Sequence, residues 1–466
     1  MSTTRTVGKG VAWNFSSNLI EKGIVFANVL IILSYLSVYE YGLIELVLTA
    51  LSTVGIILLP GLTGSITADM GVERARGEKG KMKALFSQYM LFLLVVSLIA
   101  FFVLFFGATA IAGISGNASI GHFLQIISFS FLIAPLRAIS LLMATVHIRF
   151  IDQSLYPMVE EVAKTLGLLS FFYLFHLGPQ GLLFAVISSQ LAAVLVFLPR
   201  TWSGYRHFAS AHAEGGYRFW EIFGTHRKWS VLASYLGTLM QNMQLWIIKL
   251  LLGTEAVGLY AFATGIMGNV SSLLPFTDVF TSLGPKYLEK KEEFVQLIKT
   301  SIRLQTMMAF ILIVAACIGL PVLLMILPKY VPAAPLTVLM LFVLIPTSIT
   351  IITTPTFNIL KEQFSYFLSV IIKFILTGIL MTVSVLAFGI IGIGIGSILI
   401  NILSGFERYW RLKQLLPTFK LTLRDFFILS SGERALAGKL LERVISRLPF
   451  ASAIRKEEPV IASPFE

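Results

Sequence analysis

Arg137, Lys164 and Lys373 are cations inside long apolar runs, and Glu21 and Asp278 are acids in the same setting. Charge at the centre of a bilayer costs a few kcal/mol or more, so such residues pair, line water, or bind and carry ions. Cations suit an anionic ligand such as a diphosphate. Acids at that depth suit a coupling ion, so Glu21 and Asp278 are the candidate ion-coupling carboxylates. Arg137 follows Pro135 by two residues, at an expected kink. Glu160 and Lys164 are spaced i,i+4, which predicts an ion pair between them. Lys373 has no carboxylate nearby in sequence, which makes it the better ligand candidate.

Polar residues also recur at helical spacing. Asn14, Asn18, Glu21 and Asn28 are separated by 4, 3 and 7 positions, one face of a helix whose other face carries Phe15, Leu19 and Phe26. Thr238, Asn242 and Lys249 form a similar stripe later in the chain. At membrane depth such a stripe must meet protein or a water-filled cavity. The two stripes therefore predict a hydrophilic chamber. Asn14, Asn18 and Asn242 would contact substrate there, together with Arg137, Lys373 and Lys164.

The elements that hold these residues follow from composition. Of 466 residues, 56% are hydrophobic and 13% charged, about half the charged content of soluble domains. The chain is thus expected to be an all-α integral membrane protein. Spanning helices need about 20 mostly apolar residues. Twelve runs qualify, at 11–36, 42–68, 84–112, 122–146, 157–176, 180–199, 229–252, 257–283, 304–327, 333–354, 366–388 and 390–408. With both termini in the cytoplasm, thirty of the 36 Lys and Arg residues fall on inner segments, and the outer loops hold Lys329 alone. Lys329 is expected to be solvated and dispensable. The net charge of +12 then reflects topology and attraction to anionic inner-leaflet lipid, with no nucleic-acid partner.

The chain repeats itself. Gly42-Leu43 and Gly258-Leu259 lie 216 positions apart; Gly178 and Gly389 lie 211 apart. Two six-helix repeats are expected, parallel because six is even. Residues 1–199 form the first, 200–228 a cytoplasmic linker, 229–410 the second, and 411–466 a basic tail whose Leu436, Leu440, Val444 and Leu448 share an apolar helical face. No phosphate-binding loop, HExxH or paired-cysteine metal site is present. "GIGIGS" at 392–397 is read as a close-packing helix surface rather than a dinucleotide loop. The single cysteine, Cys317, permits no disulfide within the chain.

"KLLLGTEAVGLYAFA" (249–263), its counterpart "SVYEYGL" (37–43), "YVPAAPLTVLML" (330–341) and "FGIIGIGIG" (388–396) resemble the polysaccharide-transporter branch of the MOP exporter superfamily, to which O-antigen flippases belong. The resemblance spans about residues 5–412. It departs at "SYLSV" (34–38), where the family has an arginine in "ARLLG". The resemblance implies alternating access between two six-helix lobes. It implies flipping of a polyprenyl-diphosphate-linked oligosaccharide across the cytoplasmic membrane for cell-surface polysaccharide synthesis. No cofactor is implied, and drive by a proton or sodium gradient is compatible with it. Membrane lipids, the lipid-linked oligosaccharide, and a glycan polymerase and glycosyltransferases of the same pathway are the expected partners. The rival readings are a multidrug antiporter of the same superfamily, which the deep cations disfavour, and a membrane-bound glycan polymerase or glycosyltransferase, which the short outer loops disfavour.

Overall fold

The computed structural model describes residues 3–56, 60–213, 227–274, 276–422 and 426. It is helical throughout, with no strand among these residues. The helices are α1 (Thr3–Tyr35), α2 (Val38–Gly55), α3 (Pro60–Arg76), α4 (Lys79–Ser115), α5 (Ala118–Ser128), α6 (Ser130–Val146), α7 (Phe150–Leu169) and α8 (Pro179–Ala209) in the first half. The second half holds α9 (Arg227–Leu252), α10 (Thr254–Ser272), α11 (Phe276–Tyr287), α12 (Lys291–Ile326), α13 (Ala334–Phe342), α14 (Leu344–Ile359) and α15 (Gln363–Leu415). Among the described residues, five helical stretches, with α5 and α6 together counted as Ala118–Val146, are each long and apolar enough to cross a membrane, and the pair 328–342 and 344–359, bent by 42°, adds a sixth. Of the others, α1 carries the polar stripe, and α10 ends at Ser272 before α11 begins.

Not every expected span is a single rod. The run 42–68 is covered by α2 and α3, with residues 57–59 outside the described residues. The run 257–283 divides between α10 and α11, whereas 122–146 continues from α5 through Phe129 into α6 as one span from Ala118 to Val146. Helix α8 runs through Pro199 to Ala209, so the linker begins as helix. The interfacial helix expected at 436–448 lies outside the described residues.

The same order of elements occurs twice, and the backbone records it at single residues. Gly178 has φ 58° and ψ −140°, and Gly389 has φ 57° and ψ −135°. Only glycine adopts this region without strain. Gly178 precedes the first residue of α8, and Gly389 marks the kink within α15. Gly389 thereby folds α15 into two arms. Ile148 and Lys361 repeat the pattern at the other end of the molecule, with φ 55° and 60°.

The halves meet where α2 crosses α10. A Cβ on Gly42 would lie 2.2 Å from the Thr254 carbonyl oxygen and 2.7 Å from the Gly258 nitrogen. A Cβ on Gly258 would lie 2.1 Å from the Val38 carbonyl oxygen. The repeat-related glycines thus face each other, backbone on backbone. Around them lie buried Leu43, Leu46, Val47, Val257, Leu259 and Phe262. The glycines of 392–397 do what close packing requires: a Cβ on Gly392 would meet the Ser384 carbonyl at 1.9 Å, and one on Gly394 the Leu339 side chain at 2.6 Å.

This crossing lies at the end of the molecule poor in basic residues. There Lys329 is not free. Its ammonium donates to the Ser34 and Leu36 carbonyl oxygens at 3.0 and 2.5 Å, capping the end of α1 from the other half. Lys329 is therefore not a simply solvated loop lysine, because two carbonyls at the end of α1 take their donor from it.

Gly42→Val or Gly258→Val should force the halves apart and lower stability by about 1–3 kcal/mol, the usual cost of overpacking. Gly23→Ala, with open space around it, should not destabilise. Thermal melts of the solubilised protein check both.

Candidate functional site

An open cleft of about 350 Å³ lies between the halves. Helix α2 and its C-terminal cap contribute Ser52, Gly55 and Ile56; α6 contributes Ser130, Phe131 and Arg137; α8 contributes Gln190; and α9 contributes Thr238. Pro135 sits within α6, two residues before Arg137. Thr238 comes from the stripe read in the sequence, whereas Gln190 was not singled out. Lys164 and Lys373 are not among the lining residues.

Arg137 is half-exposed to the cleft and bonds the Glu160 carboxylate through Nε at 3.0 Å. Glu160 therefore serves Arg137, not Lys164 as the i,i+4 spacing suggested. The partner of Lys164 is Glu161, at 3.7 Å. Glu161 also accepts from the Asn28 amide at 2.8 Å, while Thr165 donates to the Asn28 oxygen at 2.7 Å. Adjacent carboxylates on one helix point about 100° apart, so α7 can serve α6 with Glu160 and α1 with Glu161.

This network decides the outer part of the α1 stripe. Asn28 is 1% exposed and packs on α7, so it lines no water. Glu21 remains partly exposed, with Glu160 and Glu161 within electrostatic reach. The side chains of Asn14, Asn18 and Asp278 lie outside the described residues.

Asn242 is also engaged. It accepts from Ser52 Oγ at 3.0 Å and donates to Thr53 Oγ1 at 2.7 Å. It thus joins α9 to α2 beside the cleft as a polar bridge between the halves, and its amide is not free to meet a ligand in this arrangement.

In the second half, Lys373 donates to the Asn401 oxygen at 2.9 Å, and the Asn401 amide donates to the Ser397 carbonyl at 2.8 Å. The pair links the two arms of α15. Arg408, the last residue of the run 390–408 and counted among the inner basic residues in the sequence, is buried at 5% exposure. It donates to the Thr350 carbonyl at 2.8 Å and to Thr354 Oγ1 at 2.6 Å, and it sits 5.4 Å from the Tyr366 ring centroid. Its Nε has no hydrogen-bond partner. The signal that could have placed it is the length of the last apolar run, which continues as helix to Leu415. Among the described residues no group of His, Cys, Asp and Glu is arranged to hold a metal ion.

Residues 7–277 match a family described as polysaccharide biosynthesis protein. The chain belongs to that family. No curated protein sequence matches it. Among solved structures, this family member is similar to an inward-facing multidrug resistance MATE transporter of the MOP superfamily, with TM-score 0.72 and 13% identity over 86% of this chain and 96% of that one. An outward-facing multidrug resistance MATE transporter of the MOP superfamily gives TM-score 0.63 at 12% identity, covering 88% and 96%. A MOP superfamily transporter from Pyrococcus furiosus, whose structure is described by a reversed polarity of its binding pocket, gives 0.58 at 11%, covering 89% and 94%. The fold is thus that of MATE transporters, and with five helical stretches long and apolar enough to cross a membrane among the described residues, this member of the polysaccharide biosynthesis family is a multi-pass membrane protein.

The ion pair at the cleft is asymmetric in burial, with side-chain exposures of 44% for Arg137 and 14% for Glu160. Glu160→Gln should change stability by less than about 1 kcal/mol, because the guanidinium keeps water. Arg137→Ala should cost about 1–3 kcal/mol, because it leaves the carboxylate without its donor. Thermal melts of the two variants at matched detergent and salt check the order.

Proposed function

We propose that this protein is a transporter and moves a polyprenyl-diphosphate-linked oligosaccharide from the cytoplasmic to the outer leaflet of the cytoplasmic membrane by alternating access, for cell-surface polysaccharide synthesis. The observation that carries the reading is the family match over residues 7–277, taken with a cleft between the halves that presents Arg137. In this reading the chain crosses the membrane twelve times with both termini inside, and the end bearing Lys329 and the glycine crossing faces out. A cleft of about 350 Å³ is at the small end of ligand sites. It has room for a diphosphate and the first sugar, with the rest of the glycan extending through the open side and the prenyl chain remaining in lipid.

Arg137 is the first diphosphate contact. A guanidinium meets phosphate oxygens in pairs, and Glu160 holds it in place until substrate arrives. Lys373, with no carboxylate hydrogen-bonded to it, and Lys164 supply further positive charge as the halves move. Asn14, Asn18 and Asn242 offer amides to the sugar, Asn242 once its bridge to Ser52 and Thr53 opens. Drive by a proton or sodium gradient would use carboxylates at membrane depth, Glu21 and Asp278 among them. A glycan polymerase and glycosyltransferases of the same pathway would supply and consume the substrate.

The test is reconstitution into proteoliposomes with a fluorescent lipid-linked glycan, scored by accessibility to an outside reagent. Arg137→Ala should slow flipping at least about tenfold, the scale of losing one charge-assisted contact worth about 1.5–3 kcal/mol. Arg137→Lys should recover part of the rate. Lys373→Ala should also slow flipping, and Lys164→Ala should be milder because Glu161 already neutralises that charge. Wild-type vesicles that expel cationic dyes and leave the glycan in place would replace this reading with the multidrug antiporter.

A further inference from the structure

Gln190 of α8 lines the cleft, and no role described above uses it. It is partly exposed, and neither its amide nitrogen nor its oxygen has a hydrogen-bond partner among the described residues. Its level in the molecule is set by the packing of α8 on α6. Thr201 of α8 donates to Ser140 of α6 at 3.1 Å, and farther along both helices a Cβ on Gly204 would lie 3.3 Å from the His147 ring. Contacting residues rise together in both helices, so the two run in the same direction. Carried back along α8, that register puts Gln190 beside the first turn of α6, which begins at Ser130.

Ser130 lines the same cleft. It is 5% exposed, and its hydroxyl has no hydrogen-bond partner among the described residues. A buried hydroxyl in that condition is rare and unfavourable. Arg137 stands two helical turns farther along α6, about 10 Å away on the same face. The cleft thus has two ends. One holds a cation with a carboxylate partner. The other holds groups that carry no charge and that both donate and accept, with Gln190 and Ser130 unspent. Thr238 of α9 gives its proton to the Ser234 carbonyl at 3.2 Å and keeps an accepting oxygen. Arg137 is the one charged residue among the described lining residues. An amide beside hydroxyls matches the hydroxyl and amide substituents of a sugar ring, and nothing at that end compensates a second anion.

We propose that Gln190 is a specificity-determining contact for the sugar attached to the diphosphate, and that this sugar is uncharged. Gln190 takes this role within the transporter reading above, on which the assignment rests. With the diphosphate on Arg137, the sugar ring lies between Arg137 and Gln190. The Gln190 amide donates to one ring substituent and accepts from another. Ser130, covered in this arrangement, gains its partner from the same sugar as the cleft widens. A carboxylate on this ring would meet no cation and would lie close to the charge of the diphosphate.

The test reads binding to the solubilised protein by isothermal titration calorimetry, so it stands apart from flipping. The probes are farnesyl diphosphate and farnesyl diphosphate carrying glucose, galactose, N-acetylglucosamine or glucuronic acid. In the wild type, at least one of the three uncharged sugars should tighten binding about fivefold or more over farnesyl diphosphate, the scale of one net hydrogen bond. Glucuronic acid should not tighten it. Gln190→Leu and Gln190→Ala, each of which strands no protein group because Gln190 has no protein partner, should abolish the gain from the sugar. Ser130→Ala should reduce it. Arg137→Ala should weaken farnesyl diphosphate itself. Thermal melts show that each variant is folded. No gain from any uncharged sugar, a gain that survives in Gln190→Leu or Gln190→Ala, or an equal gain from glucuronic acid would overturn the proposal. If farnesyl diphosphate still binds through Arg137 in those cases, the diphosphate reading stands and the sugar contact falls. A wild-type protein that binds neither farnesyl diphosphate nor its glycosides removes both.

Discussion

Two backbones in contact at Gly42 and Gly258 set the geometry of this protein. Each glycine occupies a place where any Cβ would overlap a carbonyl oxygen of the opposite helix. Lipid offers no hydrophobic reward for bringing helices together, so close backbone approach is what makes such a contact favourable. The contact is at one end of α2 and α10. Farther along α2, at Ser52 to Ile56, the helices diverge enough to leave the cleft. Lys329 and the Tyr41–Tyr330 ring pair flank the crossing. The structure is therefore closed at one end and open between the halves beyond it.

The polar groups at depth are arranged around that asymmetry. Arg137 is paired yet half-exposed, and it faces the cleft. Lys164, Asn28 and Glu161 satisfy one another within the first half, and Lys373 and Asn401 do so within the second. Asn242 reaches across to Ser52 and Thr53. A membrane protein cannot leave such groups unmet, and under the proposed function Glu160 is the partner that Arg137 would exchange for a phosphate. Exchanging that partner for a phosphate retains one charge-assisted bond while adding the ligand, which is why the pair is compatible with binding.

Much of the fold was legible in the sequence because its signals are local. Apolar run length marked the helices, and repeated glycines at offsets of 216 and 211 marked equivalent places, two of which share the same backbone angles at Gly178 and Gly389. The break between α10 and α11 was not legible, since apolar content is unchanged across a bend. For the site, residue type showed that Arg137 and Asn242 had to be satisfied, but not by what. The i,i+4 rule put Lys164 on Glu160, yet α6 and α1 approach α7 from different sides and divide its two carboxylates. Arg408 was read only as an inner-flank charge, because a basic residue at the end of an apolar run reads that way. Only the packing of α14 against α15 shows that it is covered. Partners 20 to 190 positions apart leave no trace in spacing.

The central claim is that the halves are held by a contact between α2 and its neighbours that must open for transport. Ser52→Cys and Asn242→Cys, in a Cys317→Ala background, replace a hydrogen-bonded pair 3.0 Å apart with thiols that can be bridged. Flipping of a fluorescent lipid-linked glycan should proceed in reduced vesicles, stop when the pair is cross-linked, and resume on reduction. Flipping at an undiminished rate with the cross-link fully formed would contradict the account.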